Sequence, residues 1–430
     1  MSINEMVARV KESSLKLAAL DTDMKNKALA EVARAIMDKK DAILKANADD
    51  VQRSQGENLA APLLKRLKLD EAKIQDMIEG IKSLIELDDP VGAVKLATEL
   101  DEGLELYKVT CPIGVIGIIF ESRPDALVQI STLCLKSGNG VVLKGGSEAR
   151  ETNRVLMDII AGATASAGIP PDWIQLIETR ADVNEILKMD RYIDLLIPRG
   201  SNEFVRYIMD NSNIPVMGHA DGICHCYVHE DAEIDIAVNV VVDSKTQYVA
   251  VCNALETLLV HVNIAKAFLP ALKEELDKKK VALVGCEKTV NILNIPPATE
   301  DDWKTEYLDL KLSVKIVNDI DEAINHINTY GSGHTDSIIT SSREKAASFM
   351  SMVDSGNVFW NCSTRFSDGF KYGFGAEVGI STGKLHARGP VGLAGLVSYK
   401  YKLFGNGHVV EDYANRSKSF KHRKLPVPGN

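Results

Sequence analysis

Cys252 is the residue in this chain whose type and setting most suggest chemistry, within the segment QYVAVCNALETLLVH (residues 247–261). A free cysteine is more often a small apolar core residue than a nucleophile. Asn253 and Glu256 could begin a helix as a capping box, but Asn263 offers a better helix start before NIAKAFLPALKEELDKKK. The sequence therefore predicts that Cys252 lies on a loop between a helix and a buried strand, where reactive groups are commonly displayed.

Two other segments have the pattern of an anion site. Lys144 ends an apolar run and Ser147 begins a helical pattern in VVLKGGSEA, and Gly200 and Ser201 repeat this arrangement in LIPRGSNEF. A cation beside a helix N-terminus suits a phosphate group, and two such termini on one sheet are a stronger indication than one. The segment GVIGIIFESRP (residues 114–124) lacks the Gly-x-Gly-x-x-Gly pattern, so the ordinary dinucleotide fingerprint is absent.

Residues 359–393 (FWNCSTRFSDGFKYGFGAEVGISTGKLHARGPVGL) form a third candidate. The segment is too polar for a core and too aromatic for a linker. A surface loop without function is one interpretation. A substrate loop that offers Arg365, His386 and Arg388 to anionic groups is favoured, because ordered loops of this length are uncommon.

The segment CHC at residues 224–226, with His219 and His229 nearby, suggests a metal site at first sight. However, there is no second cysteine or histidine pair at zinc-like spacing, and the segment alternates like a strand. We therefore predict a structural strand here and no bound metal.

Composition limits the classes of partner. A chain of 430 residues is long enough for two or three domains, and its net charge of -10 argues against broad nucleic-acid binding. No run approaches the ~18 apolar residues that cross a bilayer, and the first residues lack an apolar signal core. Seven widely spaced cysteines do not resemble a disulfide framework. We therefore expect a cytoplasmic protein without membrane or nucleic-acid partners.

The predicted elements place these residues in an α/β fold. The first ninety residues are predicted to be helical, with Leu29, Val32 and Ile36 on one apolar face, and a hairpin is predicted around Gly103. From Gly114 onward, short apolar strands alternate with helices, as in an open parallel sheet. Predicted strands are GVIGIIF, GNGVVLKGG, WIQLIE and IDLLIP, and predicted helices run over 124–136 and follow Ser147, Asp182 and Ser201. A second α/β region is predicted from about Ile223.

Several motifs carry a resemblance to a known family. CNALETLLVH, GSGHTDSI, STRFSDG, GAEVGIST and HARGPVGL, in this order, resemble the γ-glutamyl phosphate reductase (glutamate-5-semialdehyde dehydrogenase) family of the aldehyde dehydrogenase superfamily. The resemblance extends from the N-terminal helices to about His408. It implies two open α/β domains with parallel sheets and a small β oligomerisation element, and hence a homo-oligomer. The implied parts are an NADP-binding domain (1–94 and 111–222), a catalytic domain (223–395), and an oligomerisation element with a tail (95–110 and 396–430).

The resemblance also implies roles for individual residues. Cys252 matches the acyl-accepting cysteine, and Asn253 or nearby backbone N–H groups would hold the oxyanion. Nearby cations such as Lys245 are expected to favour the thiolate form that this chemistry needs. The positions that match cofactor contacts are Lys144 and Ser147 at the adenosine ribose, Gly200 and Ser201 under the pyrophosphate, and Glu306 near the nicotinamide ribose. Relatives that prefer NAD commonly have Glu at the position of Ser147, so the resemblance implies NADPH.

Two departures from ordinary aldehyde dehydrogenases indicate the direction of reaction. Arg123 falls near their oxyanion asparagine, and His219 falls at their general-base glutamate. An enzyme that oxidises aldehydes needs a base to activate water, whereas reduction of an acyl phosphate needs a cation for the departing phosphate. The resemblance therefore implies NADPH-dependent reduction of L-glutamate 5-phosphate through a Cys252 thioester, with Arg123 and Arg365 assisting phosphate departure.

Two alternatives remain at this point. One is an oxidative aldehyde dehydrogenase acting on another small semialdehyde, and the other is an inactive family member that serves as a binding scaffold. STRFSDG and HVVEDY resemble the reductase half of the two-activity animal and plant enzyme. A separate glutamate kinase is therefore an expected partner.

Overall fold

The structure is a computed structural model that describes residues 2–178, 180–218 and 221–427. The helices are α1 (Ile3–Leu17), α2 (Thr22–Asp38), α3 (Lys40–Gly56), α4 (Ala61–Leu67), α5 (Glu71–Glu86), α6 (Pro124–Lys136), α7 (Arg150–Ser166), α8 (Arg180–Ile186), α9 (Asn202–Asn211), α10 (Ile234–Thr246), α11 (Val262–Lys278), α12 (Glu287–Leu293), α13 (Ile320–Tyr330), α14 (Arg343–Met352) and α15 (Glu411–Ala414). The strands are β1 (Val94–Asp101), β2 (Leu104–Pro112), β3 (Val115–Phe120), β4 (Gly140–Lys144), β5 (Ile174–Ile177), β6 (Leu195–Arg199), β7 (Cys224–Val228), β8 (Leu255–His261), β9 (Ala282–Gly285), β10 (Lys311–Val317), β11 (Thr335–Ile339), β12 (Asn357–Trp360), β13 (Ile380–Ser381), β14 (Gly389–Pro390), β15 (Val397–Phe404) and β16 (Arg423–Lys424).

The N-terminal helices form as their sequence predicts. Ser2 caps α1 in a capping box with Glu5, and Asp21 and Asp70 accept hydrogen bonds from the first turns of α2 and α5. The apolar face of α2, including Leu29 and Ile36, is buried and packs with α5 and α7. Helix α1, by contrast, packs directly on β3, β4 and β5.

The first sheet has the strand order β5-β4-β3-β6, and all three strand pairings are parallel. Strand β3 is buried along its whole length, which explains its unbroken apolar sequence. Helix α6 begins at Pro124, which has no N–H group to leave unpaired at a helix start, and it ends at Lys136 as predicted. Because the strands are parallel, the segments after β3, β4 and β6 share one edge of the sheet.

The second sheet has the strand order β12-β11-β7-β8-β10-β9 and is also parallel throughout. Its core strands are buried, including all seven residues of β8. The chain enters β7, β8 and β11 from one edge, so residues just before β8 and β11 lie close to the start of β7. This order places the predicted nucleophile at the amino edge of the sheet.

The third sheet is antiparallel, in the order β15-β2-β1-β16. Strands β1 and β2 form the predicted hairpin, with Gly103 at a positive φ of 70° in its turn. All residues of β15 after Val397 are exposed, although the strand pairs with β2 along its length. The two parallel sheets and this antiparallel sheet form the predicted architecture, while the exact domain boundaries stay a prediction.

Two local predictions differ from the structure. The helix predicted to begin at Ser147 starts with a 3-10 turn over Ser147–Ala149, and the α-helix begins at Arg150. Helix α11 is capped by His261 and not by Asn263, since Nδ1 of His261 accepts the backbone N–H of Asn263 at 3.1 Å. A neutral imidazole nitrogen can act as the capping acceptor, a role that the usual cap preferences do not anticipate.

Candidate active site

Cys252 lies on the loop between α10 and β8, as the sequence predicts, and it is half-buried. Its Sγ atom lies 3.2 Å from Nε2 of His334. A thiol beside an imidazole is the arrangement that lets a cysteine lose its proton to a neighbouring base. The pair is therefore able to generate a nucleophilic sulfur.

The order of the strands explains why these two residues meet. Cys252 precedes β8, His334 precedes β11, and β7 lies between these two strands. Cys224 begins β7, and its S–H group donates to the carbonyl oxygen of Cys252 at 3.2 Å. Burial raises the pKa of the Cys224 thiol well above its ordinary value, so Cys224 stays a protonated donor.

His334 is buried and its second ring nitrogen is also engaged. Nδ1 lies 2.8 Å from Oγ1 of Thr335. With the proton on Nδ1, the ring donates to Thr335 and presents the Nε2 lone pair to the sulfur of Cys252. His334 was not predicted as a site residue from the sequence, although it stands in GSGHTDSI directly before a buried strand.

Two arginine side chains contribute positive charge near the sulfur. Burial lowers the pKa of Arg365, while the negative charge of an ionised Cys252 raises it. Burial also lowers the pKa of Arg199, the charge of Arg123 lowers it further, and Glu377 and Cys252 oppose these effects. Arg365 and Arg199 are therefore both within electrostatic range of Cys252, and Arg199, at the end of β6, was not singled out from the sequence.

The orientations of Arg365 and Arg199 are fixed by hydrogen bonds. Nε of Arg365 donates to Oε1 of Gln247 at 3.0 Å, which ties the 364–366 turn to the loop that carries Cys252. Nη1 of Arg199 donates to the carbonyl of Val378 at 3.0 Å. These bonds position the two guanidinium groups.

Arg123 directly precedes α6 and is 47% exposed. Its Nη2 atom lies 2.9 Å from Oδ2 of Asp125. Since its charge acts on Arg199, Arg123 belongs to the same positively charged region. The exposed ion pair with Asp125 is weak enough to be exchanged for an anionic ligand.

The structure gives His386 and Arg388 partners elsewhere. Nε2 of His386 lies 2.8 Å from the carbonyl oxygen of Val397, and Nη2 of Arg388 donates to the carbonyl and the carboxylate of Asp354 at 3.0 and 3.2 Å. In the part of the chain that the structure describes, neither residue contacts Cys252. Their role as anion-binding residues stays a prediction.

Asn253 is buried behind the nucleophile. Its Nδ2 atom donates to the carbonyl of Ser367 at 2.7 Å, and its backbone carbonyl accepts from Oγ1 of Thr364 at 2.7 Å. The Cys252 loop is therefore fastened to the segment after β12. Since the side-chain amide is already used in this way, backbone N–H groups are better placed than Asn253 Nδ2 to receive an oxyanion.

The predicted cofactor residues lie at the carboxyl edge of the first sheet. Lys144 is the last residue of β4, and Gly200 and Ser201 follow β6. Ser201 caps α9, with its Oγ atom accepting from the N–H of Phe204 at 3.4 Å. Glu306 lies beside this helix start, because its Oε2 atom accepts from Nδ2 of Asn202 at 2.8 Å.

The segment between β4 and α7 packs closely against the side chain of Glu148. A Cβ atom at Gly146 would overlap the carboxylate of Glu148, which folds over this glycine. Oε1 of that carboxylate accepts from the backbone N–H and the hydroxyl of Ser122 at 2.5 and 2.8 Å. Nη2 of Arg53 donates to the carbonyl of Ser147 at 3.0 Å. Lys144 and Arg53 thus bring positive charge near Ser147, while the Glu148 carboxylate brings negative charge beside Gly146.

His219 falls outside the described residues, so its predicted position beside the thioester stays a prediction. Within the described ranges, no group of three His, Cys, Asp or Glu side chains is arranged to hold a metal ion. None of the helices that the structure describes is both long and apolar enough to span a bilayer.

Comparisons with known proteins identify the family of the chain. A model of the aldehyde dehydrogenase family matches residues 2–290 and 311–379. A gamma-glutamyl phosphate reductase of Acetivibrio thermocellus is 75% identical over 425 residues, which cover 99% of each chain. One from Pelotomaculum thermopropionicum is 73% identical and covers 99% of this chain and 98% of its own.

A solved structure shows the same fold. The crystal structure of gamma-glutamyl phosphate reductase from Thermotoga maritima superposes with a TM-score of 0.93 at 42% identity, over 95% of this chain and all of that one. The predicted family, the aldehyde dehydrogenase-like fold and the enzyme class are thus confirmed. The chain belongs to the gamma-glutamyl phosphate reductase (glutamate-5-semialdehyde dehydrogenase) family of aldehyde dehydrogenases.

Proposed function

We propose that this chain reduces L-glutamate 5-phosphate to L-glutamate 5-semialdehyde and phosphate, with NADPH as the reductant, in the biosynthesis of proline. The observation that carries the proposal is the 3.2 Å contact between Sγ of Cys252 and Nε2 of His334, in a region of positive charge. A thiolate is a strong nucleophile for an acyl phosphate, and arginine side chains suit the phosphate that leaves.

In the first half of the reaction, His334 takes the thiol proton and the Cys252 sulfur attacks the acyl carbon. The bond from carbon to the phosphate oxygen breaks, which leaves a thioester on Cys252 and free phosphate. Cys224 donates its S–H to the carbonyl oxygen of Cys252 and so helps to hold the loop during attack. Backbone N–H groups around Asn253 hold the oxyanion of the tetrahedral intermediate.

Arg365, Arg199 and Arg123 bind the phosphate as it departs. Burial lowers the pKa values of Arg365 and Arg199. A phosphate dianion close to these side chains therefore stabilises their positively charged forms. A guanidinium can give a phosphate two parallel hydrogen bonds. These cations therefore favour an acyl phosphate over an uncharged aldehyde as the substrate.

The nicotinamide cofactor, when bound, supplies the hydride that reduces the thioester. The Cys252 loop keeps the acyl carbon in place. The protonated His334 lies beside the sulfur as the sulfur leaves the new aldehyde carbon. Asn253 and Thr364 hold this loop through buried hydrogen bonds, which preserve its geometry between the two half-reactions.

NADPH is the proposed cofactor because of the charges around Ser147. Lys144 ends β4 and Arg53 donates to the Ser147 carbonyl, so two cations lie near the proposed 2′-phosphate. The Glu148 carboxylate, which could repel that phosphate, is held at Ser122. Gly200, Ser201 and Glu306 would hold the pyrophosphate and the nicotinamide ribose at the start of α9.

An oxidative aldehyde dehydrogenase remains the second candidate, and its chemistry requires a base that activates water. Among the described residues, the carboxylate of Glu256 is already paired with Lys245, and the arginine charges near the sulfur suit a departing phosphate. We therefore favour reduction. The intact pair of Cys252 and His334 also opposes an inactive scaffold.

Three further features belong to the proposal. We assign the cofactor domain to 1–94 and 111–222, the catalytic domain to 223–395, and the oligomerisation element with its tail to 95–110 and 396–430. Strand β15 exposes Tyr399, Tyr401, Leu403 and Phe404, a surface that suits a second copy of this chain. The substrate is an acyl phosphate, so a separate kinase acting on the side-chain carboxylate of glutamate must supply it.

The reverse reaction tests the proposal. With the semialdehyde as substrate, NADP⁺ reduction should require inorganic phosphate, and Cys252→Ala should abolish it. Cys286→Ala is the matched control, because that thiol contacts Thr289 at the start of α12 and not His334. Activity that is equal with and without phosphate would favour the oxidative alternative.

A further inference from the structure

A buried ion pair joins the two ends of the loop that carries the nucleophile. Lys245 lies in the last turn of α10 and Glu256 is the second residue of β8, so they flank the nucleophile loop, residues 246–255. Nζ of Lys245 lies 2.6 Å from Oε2 of Glu256, and both side chains are 0% exposed. From the sequence we expected cations such as Lys245 to favour the thiolate of Cys252, whereas in the structure Lys245 is paired with Glu256.

This pair is an unusual choice for stability alone. Burial lowers the pKa of Lys245 and raises the pKa of Glu256 to about 7, so desolvation acts against both charges. A buried ion pair is often no more stabilising than apolar side chains of the same size, although loss of one partner alone is costly. The pair instead fixes the distance between the two ends of the nucleophile loop.

The second oxygen of Glu256 reaches the cofactor side of the site. Oε1 accepts from the backbone N–H of Leu308 at 3.3 Å, and Leu308 has a positive φ of 52°, which is uncommon for a branched side chain. Glu306, two residues earlier, accepts from Nδ2 of Asn202 at the start of α9. A continuous set of contacts thus runs from the start of α9 through Glu306 and Leu308 to Glu256.

The tyrosine between Glu306 and Leu308 strengthens this connection. The ring of Tyr307 lies 5.9 Å from Nζ of Lys245, and its hydroxyl donates to Oδ1 of Asp302 at 2.6 Å. Both members of the ion pair therefore contact the segment 306–308, one through a hydrogen bond and the other across an aromatic face. A shift of this segment would therefore act on both ends of the nucleophile loop.

We propose that Lys245 and Glu256 are positioning residues that couple cofactor binding at Glu306 to the orientation of Cys252. This inference rests on the proposed cofactor site. Coupling between two sites is reciprocal: if the bound cofactor alters the reactivity of Cys252, modification of Cys252 alters cofactor affinity in turn. The role is distinct from chemistry, since neither side chain touches the sulfur or the reacting atoms.

The test measures the alkylation rate of Cys252 by iodoacetamide in the full chain, followed on the Cys252 peptide by mass spectrometry, with and without NADPH. In the parent protein, saturating NADPH should change this rate by about 5-fold or more, the lower end of ordinary coupling between sites. In Glu256→Gln, which keeps an acceptor for Leu308 but removes the charge, NADPH should change the rate less than about 2-fold.

A second variant guards against simple loss of folding. Lys245→Met with Glu256→Leu replaces both charges by apolar side chains of similar volume, and it should fold and bind NADPH while showing the same loss of coupling. Lys25→Met is the control, because it removes a buried ion pair with Asp89 among the N-terminal helices and should leave the coupling unchanged.

The outcomes separate the two proposals. If the parent binds NADPH and the variants keep the full effect of NADPH on Cys252 alkylation, the positioning role is overturned while the proposed function stands. The positioning role is equally overturned if NADPH binds to the parent without any effect on Cys252. Absence of NADPH binding to the parent, measured by fluorescence titration, would overturn the proposed cofactor and this inference with it.

Discussion

His334 Nε2 lies 3.2 Å from Cys252 Sγ, although 82 positions separate the two residues along the chain. The contact exists because both residues precede strands that flank β7 in the second sheet. Nδ1 of the same ring lies beside Thr335, so the orientation of the imidazole is fixed. This geometry supports the proposed role of His334 as the base for the thiol of Cys252.

Replacement of His334 by Gln should lower kcat/KM by about 100-fold or more, since a positioned general base contributes on the order of 10²–10⁴. The alkylation rate of Cys252 should fall as well, because fewer sulfurs are ionised. His408→Gln is the control, as that imidazole lies near the carbonyl of Glu102, in the β1–β2 turn. Unchanged alkylation in a folded His334→Gln would mean that another group takes the thiol proton.

Arg365 should matter for phosphate and less for the aldehyde. In the reverse reaction, Arg365→Gln should raise the KM for inorganic phosphate by about 10- to 100-fold, as expected for loss of a charge-assisted hydrogen bond. Arg365→Lys should recover part of the loss because the charge remains. Arg34→Gln, which changes an exposed arginine of α2, serves as the control. Equal effects of Arg365→Gln on the KM values of phosphate and semialdehyde would contradict a specific role with phosphate.

The sequence was sufficient for features that depend on local order. Pro124 indicates where α6 begins, and an unbroken apolar run predicts the buried strand β3. The helix that begins at Val262 indicates that Cys252 lies on the loop before β8. Each of these depends on residues that are neighbours along the chain. The family motifs added the assignment of Cys252 as the acyl acceptor.

The partners of Cys252 could not be predicted in the same way. His334 approaches Cys252 because of the strand order β11-β7-β8, and Arg199 at the end of β6 comes from the other parallel sheet. A single sequence predicts strands, but it does not give the order in which they pair. Arg388 shows the reverse case: its position in a polar loop suggested an anion site, whereas its described hydrogen bonds are to Asp354.

Ser147 should decide the choice between the two nicotinamide cofactors. Ser147→Glu places a carboxylate near the proposed 2′-phosphate, and repulsion at a few ångströms should lower the NADPH/NADH ratio of kcat/KM by about 10-fold or more. Ser147→Gln is the matched control, because the Gln side chain has the same shape as Glu but no charge. If the Glu and Gln variants show the same ratio, Ser147 does not lie at the 2′-phosphate.

The exposed strand β15 should form contacts between copies of the chain. Replacing Tyr401 and Leu403 together by Lys adds charge to a surface that is 59% and 57% exposed at these positions. The variant should show a smaller molar mass than the parent by light scattering, because charges are unfavourable in the centre of an interface. Lys400→Glu with Lys402→Glu is the control on the neighbouring positions of the strand. A parent that is itself monomeric at micromolar concentration would refute the proposed assembly.

The last prediction concerns why residue 219 is His. If the thioester is consumed only by hydride, a carboxylate at this position should activate water and open a second route. His219→Glu should then form glutamate from the acyl phosphate without consumption of NADPH, at a rate about 10-fold or more above the parent, the effect of a modest general base. His219→Ala removes the imidazole without adding a base and should not hydrolyse the thioester.

Cys252 variants show whether this hydrolysis passes through the thioester. Cys252→Ala combined with His219→Glu should abolish both routes, while Cys252→Ser keeps at most a trace, because an alkoxide is far harder to generate than a thiolate. Suppose instead that His219→Glu folds, binds NADPH and hydrolyses no faster than the parent. Residue 219 then either lies away from Cys252 or faces a site from which water is excluded by shape. The explanation of reductive specialisation through His219 would fail, and the assignment of Cys252 as the acyl acceptor would remain, since it comes from the family motifs and is supported by the contact with His334.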